Sequence, residues 1–261
     1  MALENVVDPV LLVALAGITG ATPLVVAVIP LMRARVSERM THVMLGLSAG
    51  ILLSLSLMNL LPESLELGAD MGFSAQLVAL GAVVGFLSLL VLERRVLAAG
   101  ADARHVHYEN GRKIQPFGTL AMSALAVHGL LDGFVIPLAF FAGEGPGIVV
   151  TAVVALHQIP DSFAAAAIGL ASTHTRRAAL GYVLVTAIDT PIGIGIGFLF
   201  LTAGAAILPF GLAFSAGTFL FVSAADLVPE LQHRARSVLV TASILSGFAV
   251  VAALTMLLPG A

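Results

Sequence analysis

Residues 10–32 read VLLVALAGITGATPLVVAVIPLM, an unbroken run of apolar and small residues without a charged side chain. A helix rises 1.5 Å per residue, so roughly 20 such residues cross the hydrocarbon core of a bilayer. No basic residue precedes the run, which favours a first membrane helix over a cleaved signal peptide. This stretch therefore predicts that the chain spans a membrane.

The rest of the chain continues the same pattern. Of its 261 residues, 59% are hydrophobic and 10% are charged, whereas a soluble domain carries about 25% charged residues. We therefore predict an all-α, polytopic membrane protein of eight transmembrane helices, forming one domain over 1–261 with a polar loop at 93–116. The predicted spans, numbered 1 to 8, are 9–32, 41–62, 73–92, 117–142, 146–171, 178–203, 208–230 and 237–258. The absence of cysteine excludes disulfides and thiolate ligands.

The basic residues are sorted to one side of this arrangement. All 12 Lys and Arg residues fall in the segments that follow spans 1, 3, 5 and 7. Because cytoplasmic loops carry an excess of Lys and Arg, that side is predicted to be the cytoplasm. We thus expect a multi-pass protein of the cell (inner or plasma) membrane, with both termini outside and loop 93–116 in the cytoplasm.

Two spans share a sequence motif. Residues 49–63 read AGILLSLSLMNLLPE and residues 216–230 read AGTFLFVSAADLVPE, with seven of fifteen positions identical. Spans 2 and 7 cross in opposite directions, so the motif indicates an inverted repeat that relates spans 1–3 to spans 6–8 around a central pair, spans 4 and 5. Inverted repeats are typical of transporters with a site near the bilayer midplane. The alternative is chance recurrence of small and apolar residues in alanine-rich helices.

Histidines and aspartates lie halfway along three of the predicted spans. Span 4 contains His128 and Asp132, span 5 contains His157 and Asp161, and span 6 contains Asp189. A four-residue step puts both members of each pair on one helix face. Two such faces turned toward each other would offer two imidazoles and two carboxylates at a similar depth.

These groups need compensation in a membrane. An ionised side chain at the midplane costs roughly 2.5–3.5 kcal/mol on insertion scales, and no Lys or Arg lies inside a predicted span. A divalent cation would compensate, and nitrogen with carboxylate ligands suits Zn²⁺, and also Cd²⁺, Fe²⁺ or Mn²⁺. Three alternatives stay open: interhelical hydrogen bonding, a proton-coupled carrier without metal, and an intramembrane metal-dependent hydrolase, although its frequent HExxH motif is absent.

The motifs HGLLDG at 128–133 and HQIPDSFA at 157–164, with the LLPE and LVPE endings of spans 2 and 7, resemble the ZIP family of divalent metal transporters. The resemblance covers essentially the whole chain. It implies eight helices, a transporter and not an enzyme, and a main metal site of His128, Asp132, His157 and Asp161. The partners it implies are the metal ion, membrane lipid and a possible second copy of the chain, with no nucleic acid. The compact loops are typical of a prokaryotic member.

The resemblance also implies a second metal position, where this chain departs from the family pattern. Gly129 stands where the family often has Asn, and Gln158 stands where it often has an acid. We therefore expect one strong site, with Gln158 and Asp189 as a weak flanking station. The expected function is transport of a divalent transition metal, foremost zinc, into the cytoplasm by alternating access.

Overall fold

The structure is a computed structural model that describes residues 9–32, 38–102, 108–109, 112–113, 117–173, 175–201, 205–234 and 237–257. Within these ranges the chain is helical except for short connections, such as 71–74, and one pair of two-residue antiparallel strands, β1 (Tyr108–Glu109) and β2 (Arg112–Lys113). The helices are α1 (Pro9–Met32), α2 (Glu38–Leu55), α3 (Leu61–Asp70), α4 (Ala75–Asp102), α5 (Phe117–Ala142), α6 (Glu144–Thr173), α7 (Arg176–Leu201), α8 (Leu208–Leu220), α9 (Val228–Arg234) and α10 (Val238–Leu257).

Two π-helical stretches join consecutive helices into longer rods. Ser56–Leu60 connects α2 to α3, and Phe221–Leu227 connects α8 to α9. Predicted span 2 thus corresponds to α2, its π-helical stretch and α3, and span 7 to α8, its π-helical stretch and α9. Spans 1, 3, 4, 5, 6 and 8 correspond to α1, α4, α5, α6, α7 and α10. Each π-helical stretch lies just ahead of a Pro-Glu pair, at equivalent positions of the sequence motif.

The surface is apolar where lipid would lie. Among the described residues, six helical segments are long and apolar enough to cross a membrane: Val13–Met32, His42–Asp70, Ala75–Leu92, Arg176–Leu201, Leu208–Ala225 and Val238–Leu257. Their outward faces expose large hydrophobic side chains such as Val13, Val84, Ile188 and Leu245. Polar side chains are instead concentrated inside, which is the reverse of a soluble domain. A polytopic membrane protein is the fold class that these features support.

The helices pack around the pair α5 and α6. Helix α5 contacts α6 and α7, and helix α6 contacts α1 and α2. Outside this group, α2 packs against α10 and α4 packs against α8. The core between them holds Leu52, Leu55, Ile136, Leu138 and Phe219, all of which are almost fully buried.

Glycines bring α5 and α7 into backbone contact. A Cβ atom on Gly133 would lie 2.0 Å from the carbonyl oxygen of Thr190, and one on Gly193 would lie 2.1 Å from that of Leu130. Only glycine permits so close an approach, which small residues commonly provide between membrane helices. The contact holds α7 against the glycine face of α5, which is next to the face that carries His128 and Asp132.

Three helix ends differ from the predicted spans by four residues or more. The helical rod that includes α3 continues to Asp70 instead of 62, α4 continues to Asp102 instead of 92, and α9 continues to Arg234 instead of 230. The reason is that hydropathy reports where lipid ends, whereas Leu, Ala, Glu and Arg sustain a helix beyond that boundary. Ten of the 24 residues of the predicted loop 93–116 are thereby helical.

Candidate metal centre

The two predicted His/Asp pairs face each other. His128 and Asp132 lie on α5, and His157 and Asp161 lie on α6. The Nε2 atom of His157 lies 2.9 Å from Oδ2 of Asp132, while Nε2 of His128 lies 3.7 Å from that oxygen and 3.5 Å from Oδ2 of Asp161. The four-residue step thus places both members of each pair on one face, and the short connection between the helices brings the faces together.

These separations fit a single ion. Zinc bonds of 2.0–2.2 Å in tetrahedral geometry keep the ligand atoms about 3.3–3.6 Å apart. The three measured separations, 2.9, 3.5 and 3.7 Å, bracket that range. One atom each from His128, Asp132 and His157 lie within 4.8 Å of one another. His128, Asp132 and His157 could therefore hold a divalent ion after side-chain movements of a few tenths of an ångström, whereas Asp161 lies outside this group of three and would have to move further.

The four side chains are almost fully removed from solvent. The exposed fraction is 3% for His128, 2% for Asp132, 0% for His157 and 9% for Asp161. Among the residues whose side chains the structure describes, no Lys or Arg is buried. Two carboxylates without a basic partner carry a large desolvation cost unless a proton or a metal ion offsets it.

Both ring nitrogens of His157 have a hydrogen-bond partner. Its Nδ1 atom lies 3.0 Å from the backbone carbonyl oxygen of Val153, to which it can only donate a hydrogen bond. Its Nε2 atom then faces Asp132 Oδ2 at 2.9 Å, so a proton must lie between these two atoms when no cation does. A metal ion that takes both atoms as ligands must displace that proton, and the carbonyl of Val153 keeps the ring oriented for it.

Several ligand-type atoms in the cluster are unpaired. Neither ring nitrogen of His128, nor Oδ1 of Asp132, has a hydrogen-bond partner within the part of the chain that the structure describes. Buried polar atoms are normally satisfied, so unpaired ones at a cluster of ligands indicate that a further group binds there. These atoms are available to a cation.

The two remaining predicted residues form a flanking group. Gln158 donates a hydrogen bond from Nε2 to Oγ1 of Thr190 at 2.9 Å, and the backbone N–H of Thr190 donates to Oδ1 of Asp189 at 2.6 Å. Oε1 of Gln158 and Oδ2 of Asp189 have no hydrogen-bond partner among the described residues. The structure thus ties Gln158 and Asp189 together through Thr190 and leaves one oxygen of each unpaired.

Gly129 determines where the Asp189 carboxylate lies. A Cβ atom at position 129 would be 2.4 Å from Cγ and Oδ2 and 2.5 Å from Oδ1 of Asp189. Asp189 therefore occupies the volume that any side chain at 129 would need. The sequence comparison with the family pattern treated Gly129 as a lost ligand, whereas the structure shows that it also makes room for an acid.

Two polar contacts were not predicted from the sequence. The Ser48 hydroxyl on α2 donates a hydrogen bond to Oδ1 of Asp161, and Thr190 links Gln158 to Asp189. Thr190 follows Asp189 directly, and Ser48 directly precedes the repeated motif at 49–63, so their places in the sequence could have drawn attention to them.

Comparison with known proteins agrees with this site. Residues 98–255 match a family model described as ZIP zinc transporter. The chain is 27% identical over 220 residues to the zinc transporter ZupT of Corynebacterium aurimucosum, covering 80% of this chain and 82% of that protein. It is 32% identical over 149 residues to mouse zinc transporter SLC39A7, covering 53% of this chain and 31% of the mouse protein.

A yeast relative extends the comparison to a larger part of the chain. Zinc transporter YKE4 of Saccharomyces cerevisiae is 27% identical over 216 residues, covering 73% of this chain and 61% of the yeast protein. The chain thus spans most of the bacterial relative but about a third of the mouse one. The family model covers more than half of the chain, and it confirms both the resemblance and the prediction of a transporter that is not an enzyme. The chain belongs to the ZIP zinc transporter family.

Proposed function

We propose that this protein transports divalent transition metal ions, foremost zinc, across the cell membrane into the cytoplasm. The observation that carries the proposal is the buried cluster of two histidines and two aspartates, with no buried basic side chain among those that the structure describes, in a chain whose relatives are named zinc transporters. Nitrogen and carboxylate ligands favour zinc over the hard cations Mg²⁺ and Ca²⁺. Cd²⁺, Fe²⁺ and Mn²⁺ suit the same ligands.

The main transport site consists of His128, Asp132, His157 and Asp161. Gln158 and Asp189 form a weaker station beside it, because an amide replaces one acid there. The support for this division is that one atom each from His128, Asp132 and His157 lie within 4.8 Å of one another and Oδ2 of Asp161 lies 3.5 Å from His128, whereas the flanking pair is bridged by Thr190. One zinc ion per chain is expected at saturation, and two fully occupied anomalous peaks in a zinc-soaked crystal would contradict this division.

The main site lies in a bundle of eight transmembrane spans that forms one domain over 1–261. Helices α5 and α6 complete the count, because α5 contains the apolar segment Ala126–Ala142 and α6 is 30 residues long. With eight crossings, the described arginines that are exposed at helix ends all fall on one side: Arg39, Arg94, Arg95, Arg176 and Arg177. That side is the cytoplasm by the positive-inside rule, so the loop after α4 is cytoplasmic and both termini are outside.

The spans are related by an inverted repeat. The repeat would relate span 1 to span 6, span 2 to span 7, span 3 to span 8 and span 4 to span 5. Under this relation the contact between α2 and α10 is equivalent to the contact between α8 and α4. The contact between α5 and α7 is likewise equivalent to the contact between α6 and α1. All four contacts exist. The two π-helical stretches also lie at equivalent positions of the repeated motif. This symmetry of packing supports an inverted repeat around α5 and α6.

Transport then follows from movement of the repeats about the site. Rocking of the outer helices against α5 and α6 would open the four ligands first to one side and then to the other. Zinc displaces the proton held between His157 and Asp132 when it binds, and a proton returns when zinc leaves. The protein thereby exchanges protons for metal at one place without exposing the charged ligands to lipid.

Zinc uptake into proteoliposomes tests the proposal. The wild type should accumulate radioactive zinc, and His128→Ala and Asp161→Ala should each lower uptake at least about tenfold, because each removes a ligand bond. Thr241→Ala is a matched control, because this exposed residue lies on α10 away from the cluster. Proton flux without zinc uptake would indicate a metal-free proton carrier and would contradict the proposal.

A homodimer in membrane lipid is the expected assembly. Exposed hydrophobic faces on α1, α4 and α10 are available to lipid or to a second copy. Light scattering of the protein in lipid nanodiscs should give twice the chain mass, and a mass of one chain would contradict the dimer.

Competition of unlabelled Cd²⁺, Fe²⁺ and Mn²⁺ against radioactive zinc would rank the substrates.

A further inference from the structure

The repeated motif extends one residue further than the sequence analysis placed it. Ser48 precedes Ala49-Gly50, and Ser215 precedes Ala216-Gly217, so the two serines occupy equivalent positions of α2 and α8. Both are completely buried. Under the same exchange of spans, Asp161 on α6 corresponds to Asp132 on α5. A contact between Ser48 and Asp161 therefore has an equivalent, between Ser215 and Asp132.

The first of these contacts is present. Ser48 donates its hydroxyl to Oδ1 of Asp161, which leaves Oδ2 of that carboxylate 3.5 Å from Nε2 of His128. One oxygen of Asp161 is thus fixed by α2, and the other is directed at the metal site. Since α2 lies outside the central pair, the hydroxyl is a direct link between a moving repeat and a ligand.

The second contact is absent, although the helices place its two members at one level. On α8, a Cβ at Gly211 would meet Leu138 of α5 at 2.6 Å, and the ring of Phe219 lies 5.5 Å from that of His128. Ser215 lies midway between Gly211 and Phe219 on the same helical face, and Asp132 lies between Leu138 and His128. Both helices therefore present Ser215 and Asp132 to the same part of their interface.

The atoms that would form this contact are both unpaired. The Ser215 hydroxyl and Oδ1 of Asp132 have no hydrogen-bond partner in the ranges that the structure describes, although both are buried. An unpaired buried polar atom costs about 1–3 kcal/mol, so two of them at neighbouring positions call for an explanation. In this conformation one half of the repeat has its serine–aspartate bond and the other half does not.

We propose that Ser48 and Ser215 are positioning residues that hold Asp161 and Asp132 alternately, one in each of the two conformations of the transport cycle. This inference rests on the proposed function. Two inverted repeats that exchange conformations produce the opposite-facing state, so the bond made by Ser48 here is replaced there by a bond from Ser215. Each state then has one anchored carboxylate and one that is free to accept or lose the ion.

Cysteine accessibility tests the alternation, because the chain has no cysteine of its own. Single reporters at Ala139→Cys on α5 and Ala165→Cys on α6 lie on opposite sides of the aspartates, and both positions are buried here. Their rates of reaction with a small charged thiol reagent, in proteoliposomes without zinc, report which side of the site is open. The ratio of the two rates measures the balance between the conformations.

The two serine variants should move this ratio in opposite directions. Ser48→Ala removes a bond present in this conformation and should shift the balance away from it, by about tenfold, because a bond to a buried carboxylate is lost. Ser215→Ala removes a hydroxyl that has no bond here, so it should shift the balance by a similar factor toward this conformation. The double variant should return the ratio to near the parent value.

Two other buried hydroxyls provide matched controls. Thr218 and Ser223 are also fully buried, but they donate to the backbone carbonyls of Ser215 and Phe219 within their own helical rod, at 2.7 Å each. Their alanine variants should leave the ratio of the two reaction rates unchanged. If the substitutions acted only by loosening the helices in general, these variants would change the ratio as well. If Ser48→Ala does not yield monodisperse protein, Ser215→Ala alone decides, because it removes a hydroxyl that has no hydrogen bond among the described residues in this conformation.

Shifts in the same direction, or shifts no larger than those of Thr218→Ala and Ser223→Ala, would overturn the alternation. Zinc uptake is measured on the same preparations, so that failure of the proposed transport function can be distinguished from failure of the serine alternation. Absence of uptake in the parent would contradict the proposed function while the accessibility ratios still decide on the alternation. If zinc uptake is normal but Ser48→Ala and Ser215→Ala do not shift the ratio in opposite directions, the proposed function holds and the alternating role of the two serines is refuted.

Discussion

Substitution of Gly129 by Ala tests how the flanking group is built without touching the four main ligands. The added Cβ would lie 2.4 Å from Cγ of Asp189, whereas carbon atoms in contact are about 3.5 Å apart, so the carboxylate must move by about 1 Å. The bond from the Thr190 N–H, now 2.6 Å, would then exceed 3.5 Å and be lost. A bond to a charged group contributes about 1.5–3 kcal/mol.

The gain in helix propensity offsets part of this loss. Replacing Gly by Ala inside a helix stabilises it by about 0.5–1 kcal/mol, so the net loss in free energy of unfolding should be about 1–2 kcal/mol. Thermal unfolding in detergent measures the loss, and zinc uptake should show a raised KM because Asp189 is displaced. Gly195→Ala is the matched control, since it lies on α7 with Asp189 and a Cβ there meets nothing within 4 Å of the described structure. Equal stability and equal KM for the two variants would refute the reasoning.

Three further predictions follow from the same geometry. Gln158→Glu should raise zinc affinity at least about tenfold and increase the bound zinc toward two ions per chain, because it adds a carboxylate beside Asp189; isothermal titration calorimetry measures both, and unchanged stoichiometry would count against a flanking station. Zinc affinity should fall as pH falls, by up to about tenfold per pH unit for each displaced proton, because protons and zinc compete for His157 and Asp132; a pH-independent affinity would contradict the competition. Gly133→Ala should destabilise the protein by about 1–3 kcal/mol, since its Cβ would lie 2.0 Å from the Thr190 carbonyl oxygen, whereas Gly181→Ala, with open space in the described structure, should not.

Much of the site could be predicted because helix geometry is local. The four-residue steps from His128 to Asp132 and from His157 to Asp161 place each pair on one face whatever the rest of the fold does. Their meeting required only that consecutive helices pack together, which a short connection favours. The apolar segments that are long enough to cross a membrane could also be predicted from the sequence, because their hydropathy alone identifies them.

Other features depended on contacts between distant segments, which a local pattern does not contain. The bond from Ser48 to Asp161 joins residues 113 positions apart. The closeness of Gly129 to Asp189 depends on the backbone contact of α5 with α7, so the sequence alone showed a missing ligand and not the space that it leaves. The ends of α3, α4 and α9 were misplaced because charged residues mark the edge of lipid and not the end of a helix.

X-ray absorption at the zinc K-edge of the loaded protein tests the central claim most directly. The account predicts a first shell of two imidazole nitrogens and carboxylate oxygens at about 2.0–2.2 Å. His157→Ala should remove one imidazole from that shell, and Thr241→Ala should leave it unchanged. A shell of water oxygens without imidazole, or the same shell in the His157→Ala variant, would contradict a zinc site between α5 and α6.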